Sequence, residues 1–308
     1  MGRKAKGEPI NGWVVLDKPA GPSSTQAMAR VRRLFGAAKA GHAGTLDPLA
    51  TGVLPIALGE ATKTIPYVVA SAKTYRFSVR WGEARATDDA EGEVTALSAT
   101  RPLEADIRAA LCQFVGEIAQ VPPAYSAIKI AGRPAYARAR KGETLALTPR
   151  RVRIDRLALE AIPDPDHAIF IVQCSKGTYI RSLAKDLAHA LGTVGYVAAL
   201  RRLAVGRFTE NEAISLDQLD GLGHSPARFA HLRAVETALD DIPALAVTVA
   251  EGHRLRQGQA VQIAGVADKV NVGALRPGQV VRATALGRLL ALARIEGDRL
   301  RPLRVLNL

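Results

Sequence analysis

Residues 75–81 alternate without exception, with Tyr75, Phe77, Val79 and Trp81 on one side and Arg76, Ser78 and Arg80 on the other. Side chains of a strand point to opposite faces with a period of two, so this run fits a strand with one face in a core and the other toward water. The chain is thereby committed to a sheet. Residues 13–16 predict a second, short apolar strand, stopped by Asp17, Lys18, Pro19 and the turn formers Gly21 and Pro22. Elsewhere the period changes. Ser23 or Ser24 can cap a helix in which Met28, Val31, Leu34 and Phe35 recur at helical spacing and which Gly36 can end. Leu103, Ile107, Leu111 and Phe114 predict a second helix closed by Gly116, and Ile180, Leu183, Leu187 and Leu191 a third closed by Gly192. Further strands are expected at 152–160 and 168–174. Strand and helix patterns mix without a steady βαβ rhythm, which favours an α+β fold with a mixed sheet. The tail differs: short runs at 261–263, 280–285, 289–295 and 300–306, separated by Gly or Pro, predict a small β-barrel.

A chain of 308 residues that is 48% hydrophobic has ample material for a core and is not a disordered protein. Its 42 Lys and Arg against 29 Asp and Glu give a net charge of +13, which points to a polyanionic partner. Arginine makes up 31 of those cations and Ala and Leu abound, a bias that GC-rich coding also produces, so location matters more than total. Residues 129–156 carry nine Lys and Arg against Glu143 and Asp155, a net of +7, with Tyr125 and Tyr136 in or beside the segment. Aromatic faces interleaved with arginine suit stacking plus phosphate neutralisation. Residues 243–308 carry a further +6, whereas 210–242 are net −5 around Gly221, Gly223 and Pro226. That shift predicts a domain boundary, with units at 1–242 and 243–308. The two cysteines, Cys112 and Cys174, make no disulfide framework, and neither a signal-type apolar stretch nor a membrane-length run is present. A cytoplasmic protein without membrane contact is expected.

The usual signals of nucleotide hydrolysis, dinucleotide binding, zincin chemistry and the hydrolase elbow are missing, and the six histidines are scattered. Neither metal nor cofactor is expected. The segment that stands out is 41–63, GHAGTLDPLATGVLPIALGEATK, where Gly41, Gly44 and Gly52 break helix formation and Pro48 pushes Asp47 into an extended or turn geometry. Asp47 is either a carboxylate presented on a shaped loop or a plain turn former before proline. A second cluster, SKGTYIR at 175–181, puts Arg181 in the first turn of the third helix, where the dipole disfavours a cation by about 0.3–1 kcal/mol. Such an arginine wants an anion, Asp47 or an RNA phosphate, unless it snorkels to water.

Six segments together carry a resemblance: LDKPAGPSS (16–24), the 41–63 block, KTYRF (73–77), PPAYSAIKIAGRPAYARARKGE (122–143), SKGTYIRSLAKDL (175–187) and LRRLAVGRF (200–208). In this order they resemble the TruB family of tRNA pseudouridine synthases. The tail resembles the family's PUA-like RNA-binding domain more loosely, through its length, turns and charge. The resemblance implies a catalytic domain with a mixed, largely antiparallel sheet at 1–242, a PUA-like barrel at 243–308, and conversion of uridine 55 in the T loop of tRNA to pseudouridine without metal or cofactor.

It also implies roles. Asp47 is the catalytic carboxylate, acting by addition to the pyrimidine, by attack at the anomeric carbon or through proton removal from the ribose. Arg181 is its orienting salt-bridge partner and keeps it ionised. Tyr75 stacks on the flipped base, Tyr179 is a second aromatic near it, Leu200 contacts the substrate from the pocket wall, and His42 fills the space that flipped nucleotides vacate. Lys18, Lys63, Lys129 and Arg140 are candidate RNA contacts. Residues 129–156 correspond to an insertion that clamps the T arm, with Gly132, Pro134 and Gly142 suiting a hinged loop poorly ordered without RNA, while the barrel grips the acceptor stem. A monomer is expected. The alternative is a tRNA-binding or folding chaperone in which isomerisation is secondary or lost.

Overall fold

The computed structural model describes residues 7–126, 128–130, 133–135, 138, 143, 147–263 and 276–308. An eleven-stranded sheet forms its centre, its main path running Ile214–Ser215, Gly12–Lys18, Thr51–Leu58, Gly195–Val205, Lys73–Trp81, His167–Cys174, Arg150–Asp164 and Gly116–Gln120. Two contacts are parallel, 12–18 with 214–215 and 51–58 with 195–205, and the others along the path are antiparallel. This is the mixed, largely antiparallel sheet expected.

The alternation at 75–81 is realised as expected: Tyr75, Phe77, Val79 and Trp81 are buried, and Phe77 stacks on Phe170 at 5.3 Å between centroids. Helix Ser24–Phe35 begins with a capping box from Ser23 to Gln26 and ends at Gly36 with φ 67°, so both of its ends obey local chemistry. Helix Ile180–Ala190 buries Leu183, Ala184 and Leu187 against the same face of the sheet. Two expectations change. The second helix spans only Glu104–Ala110, followed by a 3-10 turn at Leu111–Phe114, and Gly116 opens a strand instead of closing a helix. The basic stretch 129–156 is not one insertion either, because 150–156 belong to the strand Arg150–Asp164, held between 116–120 and 167–174. Backbone pairing outweighed the charge pattern there. The expected disorder of the loop falls largely on residues outside those described.

Gly52 fixes where the Asp47 loop rejoins the sheet. It pairs with Arg202 across the parallel contact at φ 99°, and a Cβ there would overlap the Arg202 carbonyl oxygen. Both the torsion and the close approach require glycine. Gly52→Ala is expected to lower stability by about 3 kcal/mol or more, read as a fall in the urea midpoint; an unchanged midpoint would contradict this packing.

The tail forms a second sheet in the order Ala244–Ala246, Val280–Ala285, Arg288–Glu296, Arg299–Val305, Val261–Gln262. Among the described residues its outer strands do not pair with each other, so the small β-barrel expected is seen as a curled half-barrel. Its first strand begins at Ala244, beside the boundary read from charge. Energetically the two sheets are not separate. Leu289, Leu292 and Leu306 share one buried cluster with Trp13, Val15 and Val235. Lys63 Nζ donates to Val305 O at 2.8 Å, and Glu60 accepts from Asn307 N at 2.7 Å. With about 2 kcal/mol per buried leucine, removal of the tail costs about 6 kcal/mol. A fragment 1–242 is expected to melt well below the full chain; equal melting temperatures would refute the shared core.

Candidate active site

Asp47 sits on the loop between strands Ala40–His42 and Thr51–Leu58, and the loop is stapled from both sides. Ser24, at the start of its helix, accepts from Leu46 N at 2.8 Å and donates to Leu46 O at 3.0 Å. Lys18, fully buried, donates to the carbonyls of Pro19, Pro48 and Ala50 at 2.8 to 3.1 Å, and Gly21 N donates to Pro48 O. On the other side Arg202, also buried, donates to Val53 O at 2.7 Å and Gly44 O at 3.1 Å. The segment 16–24 thus serves the Asp47 loop as its scaffold. Burial pushes Lys18 down to about 8, while Asp47 works in the opposite direction.

Arg181 is the counterpart. Its guanidinium is 5% exposed and lies 3.0 Å from Asp47 Oδ2 and 3.5 Å from Asp89 Oδ2. It also donates to Thr87 O at 2.9 Å and Tyr125 O at 2.8 Å, so the fork is fixed by four partners. The cation that the helix dipole disfavours is retained by these anions and carbonyls. Burial raises the Asp47 carboxyl above its ordinary value, with Arg181 the largest opposing influence. Arg181 acts in the direction expected, favouring the ionised form, but desolvation outweighs it and the carboxylate is left more basic than a free one.

Asp47, Tyr75, Tyr179, Arg181 and Leu200 all line one cavity of about 270 Å³. Tyr75 and Leu200 come from neighbouring strands and form its wall, both less than a tenth exposed. Tyr179 precedes helix 180–190 and is held by Gln120, whose side chain accepts from Tyr179 N at 2.7 Å and donates to Tyr179 O at 3.1 Å. Burial raises both tyrosine hydroxyls, keeping them protonated.

The other candidates fall elsewhere. His42 is half-buried, pairs with Ile56 and lies outside the cavity lining; burial lowers its pKa, so it is neutral at pH 7. Lys18 is no RNA contact, because it is buried and spent on carbonyls. Lys63 pairs with Glu60 at 2.7 Å and ties down the end of the tail, with its side chain 29% exposed. Lys129 lies in the short strand Lys129–Ile130, paired with Arg133–Pro134, and Arg140 is outside the described residues. Among the described residues no group of three or more potential ligands forms a metal site, and no helix is long and apolar enough to cross a membrane.

Sequence reading missed Lys73 and Arg202, which line the same cavity. Each stands two residues from a residue that it did identify, Tyr75 and Leu200, and the period of two places them on the same face. Asp89 and Gln120 gave no comparable signal, since their partners are 92 and 59 residues away.

Residues 32–180 match the TruB family pseudouridylate synthase N-terminal domain, and residues 181–240 match the tRNA pseudouridylate synthase B C-terminal domain. The tRNA pseudouridine synthase B of Rhodospirillum rubrum is 51% identical over 308 residues, covering 100% of both chains. That of Bradyrhizobium diazoefficiens is 54% identical over 305 residues, 97% of this chain and 86% of the relative. Among solved structures, the archaeal box H/ACA sRNP Nop10–Cbf5 complex superposes with a TM-score of 0.74 at 23% identity, covering 99% and 92% of the two chains. An H/ACA RNP bound to a substrate RNA containing 2'-deoxyuridine gives 0.73 at 22% identity, covering 100% and 92%. These two likenesses concern the fold alone.

Proposed function

Because the chain belongs to the TruB family of pseudouridylate synthases, we propose that the cavity at Asp47 is where it isomerises uridine to pseudouridine in tRNA, at position 55 of the T loop. The observation that carries this reading is the fixed Asp47–Arg181 pair opening into a cavity walled by Tyr75, Tyr179 and Leu200.

The chemistry detaches the base at N1, rotates it and rejoins it through C5. A target base within a folded loop must first be flipped, which costs a few kcal/mol and needs an apolar or aromatic receiving surface. Tyr75 offers a stacking face, Leu200 an aliphatic wall and Tyr179 a protonated hydroxyl. Asp47 supplies the anion for reaction with the ring, the anomeric carbon or the ribose. Arg181 holds that anion in place without consuming its reactivity, since burial keeps it more basic than a free carboxylate. The isomerisation releases no fragment and changes no oxidation state, so Asp47 and its neighbours are the groups assigned to it, without metal or cofactor.

Around the cavity, 129–149 and the arginines on the edge of strand 150–164 are assigned to the T arm, and the half-barrel, read as a PUA-like domain at 243–308, to the acceptor stem. Both are strongly basic, and A-form grooves offer phosphate and shape more than sequence. The protein is read as a cytoplasmic monomer. The test uses tRNA tritiated at the uridine 5-position, because replacement of the C5 hydrogen releases label. Release by the wild type and not by Asp47→Asn supports the reading, binding without release favours a folding chaperone, and release that persists in Asp47→Asn removes Asp47 from the chemistry.

A further inference from the structure

Four cations and one carboxylate line the cavity among the described residues: Lys73, Lys176, Arg181 and Arg202 against Asp47. Their hydrogen bonds distinguish them. Arg181 is committed to Asp47, Asp89 and two carbonyls, and Arg202 spends two of its five N–H groups on the carbonyls of Val53 and Gly44, which hold its guanidinium against the Asp47 loop. Lys176 is exposed on the rim. Lys73 is 6% exposed and, among the described residues, donates to two acceptors, the carbonyls of Val69 and Ser71 at the end of helix Ile65–Ala70. An ammonium has three donors, so one N–H remains. On the strand Lys73 precedes Tyr75 by two residues, which puts both on one face about 7 Å apart.

Resting on the isomerase reading, we propose that Lys73 is a further substrate-contacting residue, its remaining N–H taking an exocyclic oxygen of the flipped uracil and carrying the negative charge that gathers there during the reaction. Each route open to Asp47 creates that charge. If the C1'–N1 bond breaks, its electron pair leaves with the base and spreads over N1, O2 and O4. If Asp47 adds to the ring at C6, the pair of the C5–C6 double bond moves onto O4. After rotation C5 donates the pair that forms the C1'–C5 bond, the C5 proton leaves to solvent and N1 takes a proton, so charge and atoms balance. A buried cation beside the ring is worth most while the charge is present, and such stabilisation is lost when the cation is removed.

The surroundings suit a titratable cation. Burial, helped by Arg202 and Lys176, pushes Lys73 down to about 8, against a weak opposing pull from Cys174, itself pushed up to about 11. Arg202 faces it from strand 195–205, Cys174 from strand 167–174, Lys176 from the following loop and Tyr75 from its own strand. Below about pH 8 Lys73 is charged, and above it the charge is lost.

The experiment combines turnover with binding. In Lys73→Met, single-turnover kcat is expected to fall about 100-fold, and the decline that the wild type shows as pH rises through about 8 should disappear. Lys73→Arg, which stays charged, should recover much of the rate. Binding is read with a T-arm hairpin carrying either uridine or an abasic site at the target. The wild type should prefer uridine, and Lys73→Met should reduce that preference about tenfold. A folded Lys73→Met enzyme with wild-type kcat, with an intact decline near pH 8 from Lys18, or with an undiminished preference would overturn the proposal. A wild type that neither releases tritium nor distinguishes the hairpins would instead overturn the isomerase reading, and Lys73 with it.

Discussion

Asp47→Asn is expected to bind tRNA and fold normally yet lose turnover by about 10⁴-fold or more, because the amide keeps the size of the carboxylate and removes its charge. Stability is the informative second reading. Burial raises the Asp47 carboxyl, so folding disfavours its charged form, and stability is lost as pH rises from the ordinary 3.8 through the folded pKa, in full above it. Asparagine escapes that cost while Arg181 keeps Asp89, Thr87 O and Tyr125 O. The variant should therefore melt at or above the wild-type temperature at pH 7, a trade of stability for activity seen at many sites that hold a charge out of water. Melting several degrees lower would show that the ion pair, and not desolvation, dominates at Asp47.

Arg181→Met should do the reverse. It strands the buried Asp89 and the half-buried Asp47 beside two carbonyls that lose a donor. Breaking such a buried pair costs about 3–5 kcal/mol, so the urea midpoint should fall sharply at pH 7. Acidification ought to restore part of the loss, because a protonated carboxyl no longer needs the cation. The rate should drop about 10²- to 10³-fold. Its pH profile carries the mechanism: the wild-type rate falls as pH drops through the folded pKa of Asp47, which lies above the ordinary 3.8. Without Arg181 the largest influence opposing that rise is gone, and the acid limb should move to higher pH still. Arg181→Lys, with a charge but no fork, should lie between the two. An acid limb unmoved in Arg181→Met would separate Arg181 from Asp47 in solution.

How much of this was legible beforehand differs from residue to residue. The strand at 73–81 and the helix at 24–35 could be read because their signals are local: a period of two, a capping serine, a glycine with positive φ at the end. Asp47 was legible as a residue on a shaped loop, and its catalytic role came from the resemblance of whole motifs. Lys18 was misplaced as an RNA contact, and the hold of Lys63 on the tail was missed, because a lysine's sequence neighbours do not reveal whether its ammonium meets water or carbonyls. The carbonyls that claim them belong to Pro48, Ala50 and Val305, 30 to 242 residues away. The same limit hid Gln120 and Asp89, and it gave no sign that residues 214–215, within the acidic stretch before the boundary at 243, extend the central sheet.

By itself the sequence determined the elements, the basic regions and the loop that presents one carboxylate, since those follow from side-chain periodicity, glycine and proline torsions and the count of charges. Only the tertiary structure decided the electrostatics of that carboxylate. Partial desolvation of Asp47, the four partners that fix Arg181 and the spare donor of Lys73 all arise from chain segments brought together by the sheet. A pKa depends on distances and dielectric, and neither exists until the chain has folded.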